Sequence, residues 1–317
     1  DYLARQVAAH PLLLDELLVS RVFESLPDRA QFARELAVRL EHAGGDEERQ
    51  VDALRHFRRA AMFRVALQDL TGRLPLMQVS DRLTDVAELI LEQALALAWR
   101  QTTAVYGEPR CQDGATTRTA RVAIVGYGKL GGMELGYASD LDLVFLHDSA
   151  GTGQQTAGPK IVDNETFFLR LAQRLVHLLT VHTAAGRLYE VDVRLRPSGK
   201  GGLAFTQIGA FESYQRTEAW TWEHQALLHS RWIAGDADLG AAFGRIRHEV
   251  LMQAVRRDTL REDIAAMRER MRAEHVKPRE GQFDLKQDRG GIADIEFLAQ
   301  HWVLRHVGFR VAPGESV

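Results

Sequence analysis

The sequence predicts an α+β fold that is predominantly helical, on three observations. The first hundred residues carry apolar side chains at helical spacing. The stretch from Arg121 to Arg194 changes to short apolar runs separated by glycine. From Asp236 onward the helical period returns.

At the amino-terminal end, Asp28 and Gln31 have the spacing of a capping box, Phe32, Leu36 and Leu40 recur every four residues, and Gly44-Gly45 stops the run. A second helix is expected from Asp46 to Gly72, with Val51, Leu54, Phe57, Ala61, Val65 and Leu67 on its inner face and Pro75 beyond it. A third, from about Asp81 to Thr103, carries Leu83, Val86, Ile90, Ala94 and Leu97 and ends at Gly107-Glu108-Pro109. These stripes read as the core of a packed helical module.

Strands are expected at Val122–Val125, Asp140–Leu146 and Leu188–Arg194, with a helix from about Asp163 to His182 between the last two. The aromatic run Phe211, Tyr214, Trp220, Trp222 and Trp232 reads as a packing wall over this centre. Helices follow over Leu239–Val255, Asp258–His275 and Gly290–Val307, with a loop or hairpin at Lys277–Gln287. The division expected is 1–79 as an amino-terminal helical segment, 80–235 as the central domain and 236–317 as a carboxy-terminal helical domain.

Across 317 residues, 40 basic against 43 acidic side chains give a net charge of −3. No global field draws the chain to nucleic acid or to an anionic membrane, so any phosphate affinity is local. The single cysteine, Cys111, has no partner for an intrachain disulfide, and the sequence has neither an apolar run long enough to span a bilayer nor a signal-peptide pattern at its start. The compartment expected is the cytoplasm.

The centre holds the chemistry. In Ser139-Asp140-Leu141-Asp142 the strand period of two aims both carboxylates to one side, while Leu141, Leu143 and Phe145 face the other. Two carboxylates about 4 Å apart repel by roughly 4 kcal/mol at an effective dielectric near 20, a cost that a bound divalent cation reverses. Just upstream, Gly126-Tyr-Gly128-Lys129-Leu-Gly131-Gly132 lacks the side chains that would keep backbone N–H groups from phosphate oxygens. A second charged strand, Glu190-Val-Asp192-Val-Arg194-Leu-Arg196, would bring Asp192 in as a third ligand if it lay beside the first, with Arg194 and Arg196 forking onto phosphates. Lys200, in a glycine-flanked turn, is a weaker phosphate contact. Three carboxylates without cysteine or histidine suit Mg²⁺, with Mn²⁺ equally compatible. Two ions is the number expected, one activating the attacking hydroxyl and one bridging the triphosphate of ATP.

Two rivals are weaker. Gly126-x-Gly128-x-x-Gly131 after a strand, with Asp148 downstream, matches the dinucleotide-binding pattern, but Gly132–Ser139 is too short for the helix that fold requires. A solvated edge strand would explain Asp140 and Asp142 alone, but not their company. His147 and His224 have no partner pattern and read as packing or surface residues.

The strings Gly-Tyr-Gly-Lys-Leu-Gly-Gly-x-Glu-Leu-Gly-x-x-Ser-Asp-Leu-Asp-Leu-Val-Phe-Leu-His-Asp, Tyr-Glu-Val-Asp-Val-Arg-Leu-Arg-Pro-Ser-Gly and Glu-Ala-Trp-Thr-Trp-Glu-His-Gln-Ala-Leu closely resemble those of the bacterial glutamine synthetase adenylyltransferase/adenylyl-removing enzymes. Phe283–Phe297 and the opening Asp-Tyr-Leu-Ala-Arg-Gln extend the likeness over nearly the whole chain. Within that family Ser-Asp-Leu-Asp-Leu-Val-Phe-Leu-His-Asp and Glu-Ala-Trp-Thr-Trp-Glu-His look like the adenylyl-adding, carboxy-terminal half. The resemblance implies a DNA polymerase β-like nucleotidyltransferase core, a small mixed sheet flanked by helical domains. It implies transfer of AMP from Mg-ATP to a tyrosine hydroxyl of glutamine synthetase with release of pyrophosphate. Motif matching makes Asp140 and Asp142 metal ligands and Asp192 a third acid, ligand or base. It also brings in the PII signalling protein and glutamine as regulators. The alternatives are the adenylyl-removing half, a nucleotidyltransferase acting on PII or on an RNA end, and a binding module without turnover.

Overall fold

The structure, a computed structural model, describes residues 2–11, 13–14, 27–114, 116–183, 185–195, 205–275 and 281–306. It is α+β and mostly helical, as the periodicity predicts. Helix α1 is Tyr2–Ala9. Helix α2, Arg29–Ala43, starts on the expected capping box: the Gln31 N–H donates to Asp28 Oδ1 at 2.8 Å, and the Asp28 N–H to Gln31 Oε1 at 2.8 Å. Such a cap contributes about 1 kcal/mol. Helix α3 is Glu47–Leu70 and α4 is Leu76–Tyr106, the latter five residues longer at its start than its period shows. Pro75 lies just outside α4 and presets the extended backbone from which it departs.

Among the described residues eight strands form two sheets. A three-stranded antiparallel sheet, in the order β2-β1-β5, joins β1 (Pro109–Asp113), β2 (Thr116–Thr119) and β5 (Thr152–Thr156). None of these is expected from the sequence. Their side chains are mostly polar, and in β1 the inward positions are held by Pro109 and Cys111, so they lack the apolar alternation that announces a strand.

The five-stranded mixed sheet carries the site. Strand β3 (Val122–Tyr127) lies between β4 (Leu141–His147) and β8 (Arg231–Gly235), antiparallel to both. The far edge of β4 takes two short parallel strands in succession, β6 (Val191–Asp192) and β7 (Phe205–Gln207). The expected strand Leu188–Arg194 is thus cut to two residues. Asp192 Oδ1 accepts the Arg194 N–H at 2.8 Å, a side-chain turn that ends the extended run.

Alternation along β3 and β4 feeds two cores. Ile124, Leu141, Leu143 and Phe145 join the core built by α2, α3, α4 and α6 (Asn164–Thr180). Val125, Tyr127, Val144 and Leu146 join a second core with Phe211, Leu227, Phe243 and Val250. These last come from α7 (Ile208–Thr217), α8 (Thr221–Leu228) and α9 (Ala237–Gln253). Each fully buried Leu, Val or Phe contributes about 1.5–3 kcal/mol, so a strand buried on both faces is firmly placed. Helices α10 (Leu260–His275) and α11 (Ile292–His306) complete the described chain, matching the expected carboxy-terminal helices within two residues.

The aromatic run is only partly a wall. Phe211 is buried and a Cβ at Gly240 would strike the Trp232 ring, but Trp220 is 64% exposed. His147 and His224 are packing residues as expected: His147 stacks on Phe168 at 4.2 Å, and the buried His224 ring bonds to the Gln215 carbonyl at 2.9 Å. Among the described residues no helix is long and apolar enough to cross a membrane.

Candidate functional site

The site grows from the ends of β3 and β4. Beyond Tyr127 the chain makes a single helical turn, α5 (Gly128–Gly131), then a loop to Asp140. Gly128 is required twice over. Its φ of +54° is a left-handed conformation, and a Cβ there would come within 2.5 Å of Asp142 Oδ2. Gly126 and Gly131 are packing glycines: a Cβ at Gly126 would meet Ile233 and Leu130 at 2.8 Å, and one at Gly131 would overlap the carbonyl of His229. Gly132 closes the turn, its N–H donating to Gly128 O at 2.9 Å. Lys129 is exposed beside it.

Loop 132–140 is tied down by its own polar groups. The Ser139 hydroxyl accepts the Gly136 N–H at 3.0 Å, and the Tyr137 hydroxyl donates to Asp69 of α3 at 2.9 Å. Asp140 is exposed one residue before β4 begins, and the Leu141 N–H donates to the Glu190 carbonyl at 2.9 Å. That bond sets the register of β6, in which Asp142 and Asp192 are direct partners across a parallel pair. Asp142 and Asp192 therefore stand side by side, as the sequence expectation requires of neighbouring charged strands.

The electrostatics record the crowding. The Asp142 carboxyl is pushed up to about 6, first by burial and then by the charges of Asp140 and Asp192, with Arg194 and Lys129 opposing. Asp192 is steadied by Arg194, whose Nε donates to Asp192 Oδ2 at 2.7 Å while its Nη2 also pairs with that carboxylate. Among the described residues no three Asp, Glu, His or Cys side chains are already drawn together around an ion position. Arg194 occupies Asp192 instead. Arg196 and Lys200 lie outside the described residues.

Supporting residues that sequence reasoning missed come from far along the chain. Glu88 of α4 is buried and receives Arg231 at 2.6 Å and Arg29 at 2.9 Å. Arg231 also donates to the Leu130 carbonyl at 3.2 Å, so β8 and α4 together brace the glycine turn. Their separations in sequence leave no local pattern to read. Asp148, the acid of the dinucleotide rival, is spoken for: its carboxylate pairs with Arg121 at 2.7 Å and Arg118 at 3.0 Å.

With this geometry in hand, comparison with known proteins places the chain. Residues 1–246 match the family model described as glutamate-ammonia ligase adenylyltransferase. The chain is 51% identical over 306 residues to the bifunctional glutamine synthetase adenylyltransferase/adenylyl-removing enzyme of Thioalkalivibrio sulfidiphilus, an alignment covering 96% of this chain and 32% of that protein. The proteins of the same description from Pseudomonas putida and Nitrosococcus oceani are each 48% identical, over 96% and 95% of this chain. The chain belongs to the glutamate-ammonia ligase adenylyltransferase family. It spans about a third of the length of these curated relatives.

Proposed function

We propose that this chain is the adenylyl-adding nucleotidyltransferase part of such an enzyme, moving AMP from ATP to a tyrosine hydroxyl of glutamine synthetase. The observation that carries the reading is the pairing of Asp142 with Asp192 across β4 and β6, the Asp142 carboxyl being pushed up to about 6 by burial and then by the charges of Asp140 and Asp192. Such a cluster is poorly neutralised by the protein itself, and its donors are all hard oxygens, which fits Mg²⁺ or Mn²⁺. Asp140, Asp142 and Asp192 would hold the metal, two ions in the full complement. When bound, the metal supplies positive charge to the phosphates and acidity to the attacking hydroxyl.

The chain's own residues supply the rest. Gly126, Gly128, Gly131 and Gly132 let the backbone come close to the triphosphate, and Gly128 in particular keeps side-chain atoms off Asp142. Lys129, Ser139, Arg194 and Arg196 form the polar rim that meets nucleotide phosphates. Arg194 is already forked onto Asp192, so nucleotide binding asks it to share or exchange that partner. The tyrosine oxygen bonds to the α-phosphorus as the bond to the β-phosphate breaks, and Asp192 is the candidate acceptor of the hydroxyl proton.

The names of the relatives support glutamine synthetase as the target, while the cytoplasmic setting, a polymerase β-like core, and PII and glutamine as regulators rest on the sequence and its motif resemblance alone. The test uses wild type and Asp140→Asn/Asp142→Asn with glutamine synthetase, Mg²⁺ and ATP labelled at the α-phosphate. Label on the target with wild type only is the expected result. No label from folded, ATP-binding wild type, together with phosphate-driven release of ADP from adenylylated target, would assign the chain to the removing reaction instead.

A further inference from the structure

A second cavity, away from the glycine turn, lies where α1, α2 and α3 meet the 185–186 turn. It has a volume of about 460 Å³ and is lined by His10, Arg39, Asp52, His56 and Arg59, with Ala9, Pro11, Leu13, Ala60 and Ala185 as its apolar wall. Small-molecule sites run from roughly 300 to 1,000 Å³ with a few converging polar groups on an apolar base, which is the composition found here. Asp52 is the one acidic group in the lining, and its carboxylate is held by Arg55 at 2.9 Å. Asp52, His56 and Arg59 stand on one face of α3 by their spacing, and Arg39 of α2 and His10, the residue just after α1, complete the lining.

The walls are cationic enough to perturb one another. Both imidazoles are held below their ordinary range, His56 by burial and then by Arg59, and His10 by burial, Arg59 and His56 in turn. Arg59 is itself pushed down by burial and by the neighbouring charge of Arg58. An anion entering here offsets the charge of Arg59 that adds to burial in holding both imidazoles down.

We propose that this cavity is a binding site for a small dianion bearing carboxylate or phosphate groups, held by Arg39 and Arg59 with His10 and His56 as hydrogen-bond donors. Its place in the fold gives the ligand a lever. Three successive arginines of α3 hold the segment leading into β6. Arg55 donates to the Val181 carbonyl at 3.4 Å, Arg59 donates to the Ala185 carbonyl, and Arg58 lies over the Tyr189 ring at 4.4 Å from its centroid. Three residues beyond Tyr189 stands Asp192. A ligand that draws on Arg59 acts on the same residue that tethers this turn, so occupancy is felt along the chain entering the carboxylate cluster.

The experiment titrates the whole chain with inorganic phosphate and, separately, with succinate, at low ionic strength by calorimetry, and maps protection by hydrogen exchange. Saturable binding of phosphate, succinate or both is expected, the stronger of the two naming the ligand chemistry. Succinate, which stays mostly dianionic over this range, should bind about tenfold more tightly at pH 6 than at pH 7.5 as His10 and His56 take up protons beside Arg39, Arg59 and Asp52. Arg39→Gln and His56→Gln should each weaken binding by about tenfold. Both variants' melting curves check that the fold is retained, and two independent positions guard against one failing. Protection is expected at residues 9–10, 56–60 and 185–187. Absence of saturable binding by either anion, equal binding in both folded variants, or protection confined to residues 126–142 would overturn the proposal.

Discussion

Asp142 and Asp192 are register partners across the parallel β4–β6 pair, so two carboxylates from segments fifty residues apart share one edge of the sheet. A carboxylate lifted to about 6 from an ordinary 3.8 binds more protons folded than unfolded between those values, so its ionisation costs stability as pH rises through that window. Asp142→Asn should therefore raise the stability of the metal-free protein at pH 7.5 by roughly 1–3 kcal/mol, while nucleotidyl transfer falls at least about a hundredfold. Thermal melts in EDTA beside turnover measurements check this. A destabilised variant would show the carboxylate to be structural.

Gly128→Ala tests the turn. A methyl group at φ +54° costs about 1–2 kcal/mol in backbone strain, and here it also presses on Asp142 Oδ2. Loss of nucleotide binding out of proportion to that loss of stability is the expected result. Equal binding by the alanine variant would mean that the turn and the carboxylate move apart without consequence.

Arg194→Ala separates ligand contact from scaffold. The side chain is 71% exposed and its ion pair with Asp192 is of the solvent-screened kind, so stability should change by no more than about 1 kcal/mol. ATP affinity should fall by about tenfold or more. A large drop in melting temperature with normal ATP affinity would make Arg194 a structural residue.

His147 sets an acid limit on stability. Burial against Phe168 pushes its imidazole down to about 4, and its Nδ1 accepts the Ser149 N–H at 3.1 Å. The unfolded chain takes up a proton near 6.5 that the folded one refuses, so this contribution is full above about 6.5 and is lost as pH falls toward 4. Up to roughly 3 kcal/mol is involved. Asp142 titrates through the same window with the opposite sign, so urea unfolding at pH 7.5, 6 and 5 in an Asp142→Asn background should show a slope that His147→Gln flattens. Asp148, held below its ordinary range by Arg121 and Arg118, titrates below this window and does not mask it. An unchanged slope in the variant would refute the assignment.

Much of this molecule is legible in one dimension because its strongest signals are local. The i, i+3, i+4 stripes of α2, α3 and α4 are buried nearly residue for residue, since a helix can hide its apolar face in only one way. The split of Leu141, Leu143 and Phe145 from Asp142 follows from the two-residue period of a strand. Glycine-rich spacing next to paired acids likewise marked the turn at Gly128.

Other features exist only once the chain is folded. Strands β1, β2 and β5 are held by backbone bonds between mostly polar segments, in which buried Pro109 and Cys111 are too little to announce a strand. The shortness of β6 depends on a side chain, Asp192, capturing the Arg194 N–H and guanidinium. The Glu88–Arg231–Leu130 brace joins three distant segments, and the cationic cavity gathers His10, Arg39 and Arg59 from the end of α1, from α2 and from α3. The long helices, strands β3 and β4 and the residues able to do chemistry are legible in the sequence, because periodicity and residue type are local properties, whereas α1, α7, α8 and β8 are too short to announce themselves. Only the tertiary structure decided which charges neutralise one another and which are left crowded, because Coulomb interactions and burial depend on distances between segments that no spacing along the chain encodes.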